Sequence, residues 1–123
     1  MDFQNKKAIY LQIADYVCEQ ILLNQWKESD KIPSIRDLAI DLEVNPNTVM
    51  RTYAFLQDKN IIEMQRGIGY FVAEKARKQA LEFKKEEFLT SDLPSVFRSM
   101  ELLDIDLEDI GQLYKRRIKH EIK

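Results

Sequence analysis

The sequence is poor in the residues that most often carry chemistry. It holds one cysteine, Cys18, and one histidine, His120. A single cysteine excludes an internal disulfide. With one thiol and one imidazole, a zinc site built within one chain is nearly excluded. A Cys–His or Ser–His pair would have to use those single copies, which argues against hydrolytic catalysis. Glycine is scarce as well, three residues in 123, and none lies in a phosphate-cradling loop. Apolar runs such as Ile21-Leu22-Leu23 are no longer than three or four residues, whereas a membrane span needs about 20 mostly apolar residues. Met1–Tyr10 carries two lysines with no apolar core behind them, which does not fit a secretory signal. The sequence therefore reads as a cytoplasmic, non-enzymatic chain without cofactor or metal.

An excess of positive charge is also missing. Nineteen basic residues face 21 acidic ones, for a net charge of −2. A basic balance is the general footprint of nucleic-acid binding, so any such case must rest on local arrangement. Residues 1–73 carry 8 basic and 10 acidic groups, and residues 74–123 carry 11 of each. The one dense basic run, Lys115-Arg116-Arg117-Ile118-Lys119, reads most simply as favourable charge at a helix C-terminus. The remaining composition, 45% hydrophobic and 33% charged, suits one globular domain, or a small domain with an appendage.

Periodicity supplies the architecture. Ile9, Ile13, Val17 and Ile21 recur every four residues and mark the buried face of a first helix. Asn24 suits a left-handed stop, and Trp26 is expected to fold back on the core. The segment before Pro33 is biased to extended backbone. Ser34 can then cap a short second helix, with Asp37 in its first turn and Leu38, Ala39 and Leu42 as its buried stripe. Asn45 caps a third helix with Pro46 at its first position. Val49, Tyr53 and Leu56 line one of its faces; Asn47, Arg51 and Asp58 line the other, with Thr48 at the edge. The period then shortens. Ile61–Gln65 and Tyr70–Val72 read as two strands joined by Arg66-Gly67-Ile68-Gly69. From Glu74 the pattern is helical again, with Ala76, Ala80 and Phe83 on one stripe. Ser91-Asp92-Leu93-Pro94 interrupts or kinks it. Asp106 can cap a last helix carrying Leu107, Ile110, Leu113 and Tyr114.

Helix, short helix, tight turn, helix and β-hairpin build a winged helix-turn-helix. The expected fold is mainly α with a small β-hairpin. The winged helix-turn-helix domain covers 1–73, and a short two-helix tail covers 74–123. In such a domain the third helix can enter the major groove of duplex DNA while the second crosses the backbone. Asn47 and Thr48 stand in the first turn of the third helix, the part that reaches base edges. Asn47 can pair bidentately with adenine, and Arg51 with guanine; a solvated side chain is the plainer alternative for Arg51. Asn45 suits a cap better than a reader. Arg66 and Gly67 form the wing tip, where glycine admits close backbone approach or simply turns the hairpin. Lys6 and Lys7 are either phosphate contacts or a solvated N-terminus.

Four stretches resemble the N-terminal domain of the GntR family of bacterial transcription regulators. They are Ile9-Tyr10-Leu11-Gln12-Ile13, Asp30–Ala39, Val44-Asn45-Pro46-Asn47-Thr48-Val49 and Gly67-Ile68-Gly69-Tyr70-Phe71-Val72, in family order and spacing over about residues 8–73. The short remainder resembles the YtrA-type subfamily. That resemblance implies a tail that dimerises, an inverted-repeat duplex operator, and repression of the protein's own operon, often beside transporter genes. It implies a phosphate contact for Arg36 and places Ser34 beside the same phosphate. Asn24, Ser29 and Asn60 stand where the family usually has glycine. Pro46 and Met50 replace frequent arginines, so no operator sequence is transferred. The apolar stripe from Val96 to Tyr114 is too large for two helices to bury alone. A winged-helix adaptor that binds protein is the alternative, kept open by the acidic balance. Nothing in the sequence identifies a small-molecule effector.

Overall fold

The computed structural model describes residues 7–122, with side chains through 119. Two compact units divide the chain, Met1–Lys85 and Glu86–Lys123.

In the first unit the order is α1 (Ile9–Leu22), α2 (Ile35–Leu42), α3 (Pro46–Asp58), β1 (Ile62–Gln65) and β2 (Gly69–Val72), followed by α4 (Ala76–Glu87). The strands pair antiparallel from Ile62↔Val72 to Gln65↔Gly69. A third extended segment joins them. Ile32 N–H donates to Tyr70 C=O, and Val72 N–H donates to Asp30 C=O, each at 2.9 Å. Lys31 thereby bridges Phe71 in antiparallel sense. The extended bias before Pro33 is local, whereas this pairing joins residues some 40 positions apart and has no local signature.

One core unites α1, α2, α3, the hairpin and α4. It contains Val17, Cys18, Leu38, Val49, Tyr53, Leu56, Ile61, Val72, Ala76 and Ala80, all essentially inaccessible. Cys18 is a packing residue there. The predicted face of α1 begins one turn late: Ile9 is exposed, and Ala14 and Cys18 join Ile13, Val17 and Ile21 inside. Trp26 does fold back, half-buried, with its ring edge-on to Tyr16 at 6.1 Å. Small residues Ala76 and Ala80 let α4 lie close, and Arg77 donates to the Leu22 carbonyl at 2.7 Å, covering the C-terminal end of α1.

Four helices end by the same device. Asn24, Glu43, Asn60 and Asp104 all adopt positive φ, between 54° and 60°. In each case the next amide closes back across five residues: Gln25 to Gln20, Val44 to Ala39, Ile61 to Leu56 and Ile105 to Met100, at 2.9–3.0 Å. This is the Schellman arrangement, which satisfies otherwise orphaned carbonyls. Ser29 is also left-handed, with φ 70°. The three family glycine positions, Asn24, Ser29 and Asn60, thus keep the backbone that glycine would adopt.

In the second unit the backbone stays helical through Pro94. A π-helical turn over Phe88–Asp92 leads directly into α5 (Leu93–Leu102), and α6 (Leu107–Ile122) follows. Pro94 sits in the first turn of α5, where a missing N–H costs little. A π turn absorbs the interruption read from Ser91–Pro94. The Asp106 cap forms as a reciprocal box: Asp109 N–H donates to Asp106 Oδ1 at 2.9 Å, and Asp106 N–H to Asp109 Oδ2 at 3.2 Å. No residue from 81 to 119 is fully buried. Phe97, Leu102, Leu103, Leu107, Leu113 and Tyr114 are all exposed. Among the described residues no helix is long and apolar enough to cross a membrane.

Candidate nucleic-acid interface

The turn between α2 and α3 sets the interface. Ser34 caps α2, its Oγ accepting from Asp37 N–H at 3.0 Å. Asn45 caps α3, its Oδ1 accepting from Asn47 N–H at 2.7 Å, with Pro46 opening the helix. Both side chains therefore fix the angle at which the helices start. Tyr53, buried midway along α3, donates its hydroxyl to the Pro33 carbonyl at 2.7 Å and stands edge-on to Tyr70 at 4.8 Å. Burial, then the neighbouring Tyr70 and Tyr16, push the Tyr53 phenol upward. This ring locks α3 to both the segment before α2 and the second strand. Tyr53 is a core residue rather than a base-stacking platform, and Tyr70 packs half-buried against the same core.

Four of the predicted residues converge. Asn45, Asn47, Thr48 and Arg51 line one open groove of about 360 Å³ with Ala8, Ile9 and Tyr10 of the first helix and its approach. Asn45, Asn47 and Arg51 are exposed, whereas Thr48 is half-buried at the helix edge. Arg51 is not simply solvated: its guanidinium carbon lies 3.9 Å from the centroid of the Tyr10 ring.

The other four lie outside that groove. Ser34 and Arg36 occupy the exposed start of α2. Arg66 and Gly67 occupy the exposed hairpin tip, where Ile68 N–H donates to Gln65 C=O at 2.9 Å. Gly67 has φ 78°, the requirement of the third residue in a type II turn. A Cβ there would meet nothing within 4 Å, so the turn, not crowding, demands glycine. Lys7 pairs with Asp15, which also accepts from Lys84 of α4 at 2.7 Å, so Lys7 itself is not merely solvated. Lys6 and the His120 side chain lie outside the described residues.

Two residues that hold this groove in shape were not singled out as functional from sequence. Tyr10 appears within the first motif only as part of a pattern. Thr52 is fully buried between α1 and α3, its hydroxyl facing the carbonyls of Tyr10 at 2.8 Å and Thr48 at 3.0 Å. A polar residue in the apolar stripe Val49, Tyr53, Leu56 was the available signal. Among the described residues no group of three or more His, Cys, Asp or Glu side chains could hold a metal ion.

A helix-turn-helix with an exposed third-helix start, flanked by a hairpin wing, defines a winged helix-turn-helix protein of the DNA-binding class. Residues 9–72 match the bacterial regulatory proteins of the gntR family. The HTH-type transcriptional regulator YhcF of Bacillus subtilis is 37% identical over 88% of this chain and 88% of its own. The HTH-type transcriptional repressor YtrA of the same species is 31% identical over 94% of this chain and 88% of its own. A solved GntR-family regulator from Bacteroides thetaiotaomicron superposes with TM-score 0.75 at 43% identity, covering 93% of this chain and 99% of that one. The chain belongs to the GntR family and is a DNA-binding transcription regulator, not an enzyme.

Proposed function

We propose that this regulator is a cytoplasmic homodimer that represses its own operon through an inverted-repeat operator. The observation that carries the reading is the convergence of Asn45, Asn47, Thr48 and Arg51 on one exposed groove at the start of α3. In this reading residues 1–73 hold the DNA contacts. Asn47, Thr48 and Arg51 face base edges, with Asn45 fixing the helix start. Arg36 and the Ser34 cap sit against a phosphate, a positioning contact that carries no sequence information. Arg66 and Gly67 bring the wing tip to the backbone or the minor groove.

The tail, 74–123, supplies the dimer in this reading. Its last unit buries none of its described side chains fully, yet exposes Phe97, Leu102, Leu107, Leu113 and Tyr114. An apolar face of that kind needs a partner surface. The likeness to a relative named a repressor favours repression over activation.

Selection of bound duplexes from a random library at about physiological salt tests the proposal, because non-specific binding is weak there. An enriched inverted repeat is expected, with half-sites about 34–36 Å apart or a multiple of that spacing. The repeat should lie at the regulator's own promoter, where added protein lowers transcription in vitro. A folded protein that enriches no sequence would overturn the reading in favour of a protein-binding winged helix.

A further inference from the structure

Arg51 has a fixed seat, and the seat is built by Tyr10. The Arg51 guanidinium carbon lies over the ring, 3.9 Å from its centroid. Tyr10 in turn is held at both ends. Its carbonyl accepts the hydroxyl of buried Thr52 at 2.8 Å, across 42 residues of sequence. Its ring stands edge-on to Phe55, with centroids 6.1 Å apart and planes at 79°. Phe55 meets Phe83 of α4 at 5.5 Å, and the Lys59 ammonium lies 5.3 Å from both of those rings. One face of Tyr10 is thus kept for Arg51 by contacts that bind α1, α3 and α4 together.

Stacking uses the face of a guanidinium and leaves its N–H donors free in the plane. Those in-plane donors are the ones that meet guanine O6 and N7. A long side chain already held in one orientation loses less freedom when it binds. We propose that Tyr10 is a positioning residue for base reading: it orients the Arg51 fork toward the base edge, without touching DNA itself. The inference rests on the reading of Arg51 as a base reader, and the experiment separates the two.

Affinities are measured for the selected duplex, for each single base-pair variant of it, and for a random duplex. The proteins are the intact chain, Arg51→Ala, Tyr10→Leu, Tyr10→Phe and the double variant Arg51→Ala/Tyr10→Leu. Tyr10→Leu is expected to weaken the selected duplex about three- to thirty-fold. Discrimination should relax at the same base pair that Arg51→Ala relaxes, with random-duplex binding unchanged. Tyr10→Phe keeps the ring face and should behave as the intact protein. In the Arg51→Ala background Tyr10→Leu should add less than about a two-fold effect. Pentafluorophenylalanine at position 10 keeps the ring shape and inverts its quadrupole, so it should reproduce the leucine loss even if the leucine variant folds poorly. Equal weakening on every duplex, or a full additional loss in the Arg51→Ala background, overturns the proposal. If Arg51→Ala relaxes one base pair and neither Tyr10→Leu nor the fluorinated ring does, the positioning role alone falls. If Arg51→Ala relaxes none, the base-reading role of Arg51 falls and the positioning role with it.

Discussion

Left-handed backbone at Ser29 is a local cost borne by the wrong residue type. An L-residue in that region pays roughly 1–2 kcal/mol, and serine has less compensating local hydrogen bonding there than asparagine. Ser29 is exposed, and its N–H donates to Val72 C=O at 3.0 Å, a bond that glycine keeps. Ser29→Gly should therefore raise stability by up to about 1 kcal/mol, after the entropy of a freer unfolded chain is subtracted. A thermal midpoint a few degrees higher supports this; a lower midpoint contradicts it. Tyr53 makes the opposite case, since a fully buried residue spends its hydroxyl on a part-buried bond to the Pro33 carbonyl. Tyr53→Phe should cost about 1–2 kcal/mol in urea unfolding. Burial raises the folded phenol above its ordinary value near 10. Stability from this group is thus complete below about pH 10. It falls above that, by about 1.4 kcal/mol per pH unit, as the unfolded phenol ionises and the folded one does not. Tyr53→Phe should flatten that alkaline limb; an unchanged limb would show that other groups govern it.

Helix starts and ends decide how the recognition element is presented. Asn45 does two things at one place: it caps α3 and it lines the groove. Two substitutions separate them. Asn45→Ala should destabilise by about 1 kcal/mol because an orphan N–H loses its acceptor. Asn45→Ser keeps a capping oxygen and should hold stability within a few tenths of a kcal/mol. If both variants bind the selected duplex equally and only the alanine loses stability, Asn45 is a cap alone. The strand segment at 29–32 makes a related point about elements. Its partners on β2 lie some 40 residues away, so no local pattern announces them. The caps and the stops at Asn24 and Asn60 were legible because each involves residues within five positions of one another; the same ends at Glu43 and Asp104 carry residue types that announce a left-handed backbone weakly or not at all.

At the scale of the whole molecule, association and salt dependence are the measurable consequences. The intact chain should scatter light as a dimer of the 14.6 kDa protomer. Leu113→Asp puts a charge on an exposed apolar face of α6 and should leave a folded monomer, because no core residue is touched. A chain ending at Lys85 retains Ala76 and Ala80, which are core residues of the first unit; it should also be monomeric. A persistent dimer in either case would place the interface elsewhere. Arg36→Ala should weaken binding to all duplexes alike. It should also lower the slope of log affinity against log salt by about one per protomer. A loss confined to one base pair would contradict a phosphate role.

Sequence alone determined the element order, the caps at Ser34, Asn45 and Asp106, the left-handed stops at Asn24 and Asn60 and the glycine at the wing tip. Each follows from backbone sterics or from hydrogen bonds spanning a few residues. It also placed Asn47 and Arg51 on the exposed face of α3, with Thr48 at its edge, since helical period alone separates that face from Val49, Tyr53 and Leu56. Only the tertiary structure decided that the 29–32 segment joins the sheet, that α4 completes the first core, and that Tyr10 receives Arg51. Those contacts join residues about 40 or more positions apart. Their partners are chosen by packing and by the need to satisfy buried polar groups, which become specific only once the chain has folded around them.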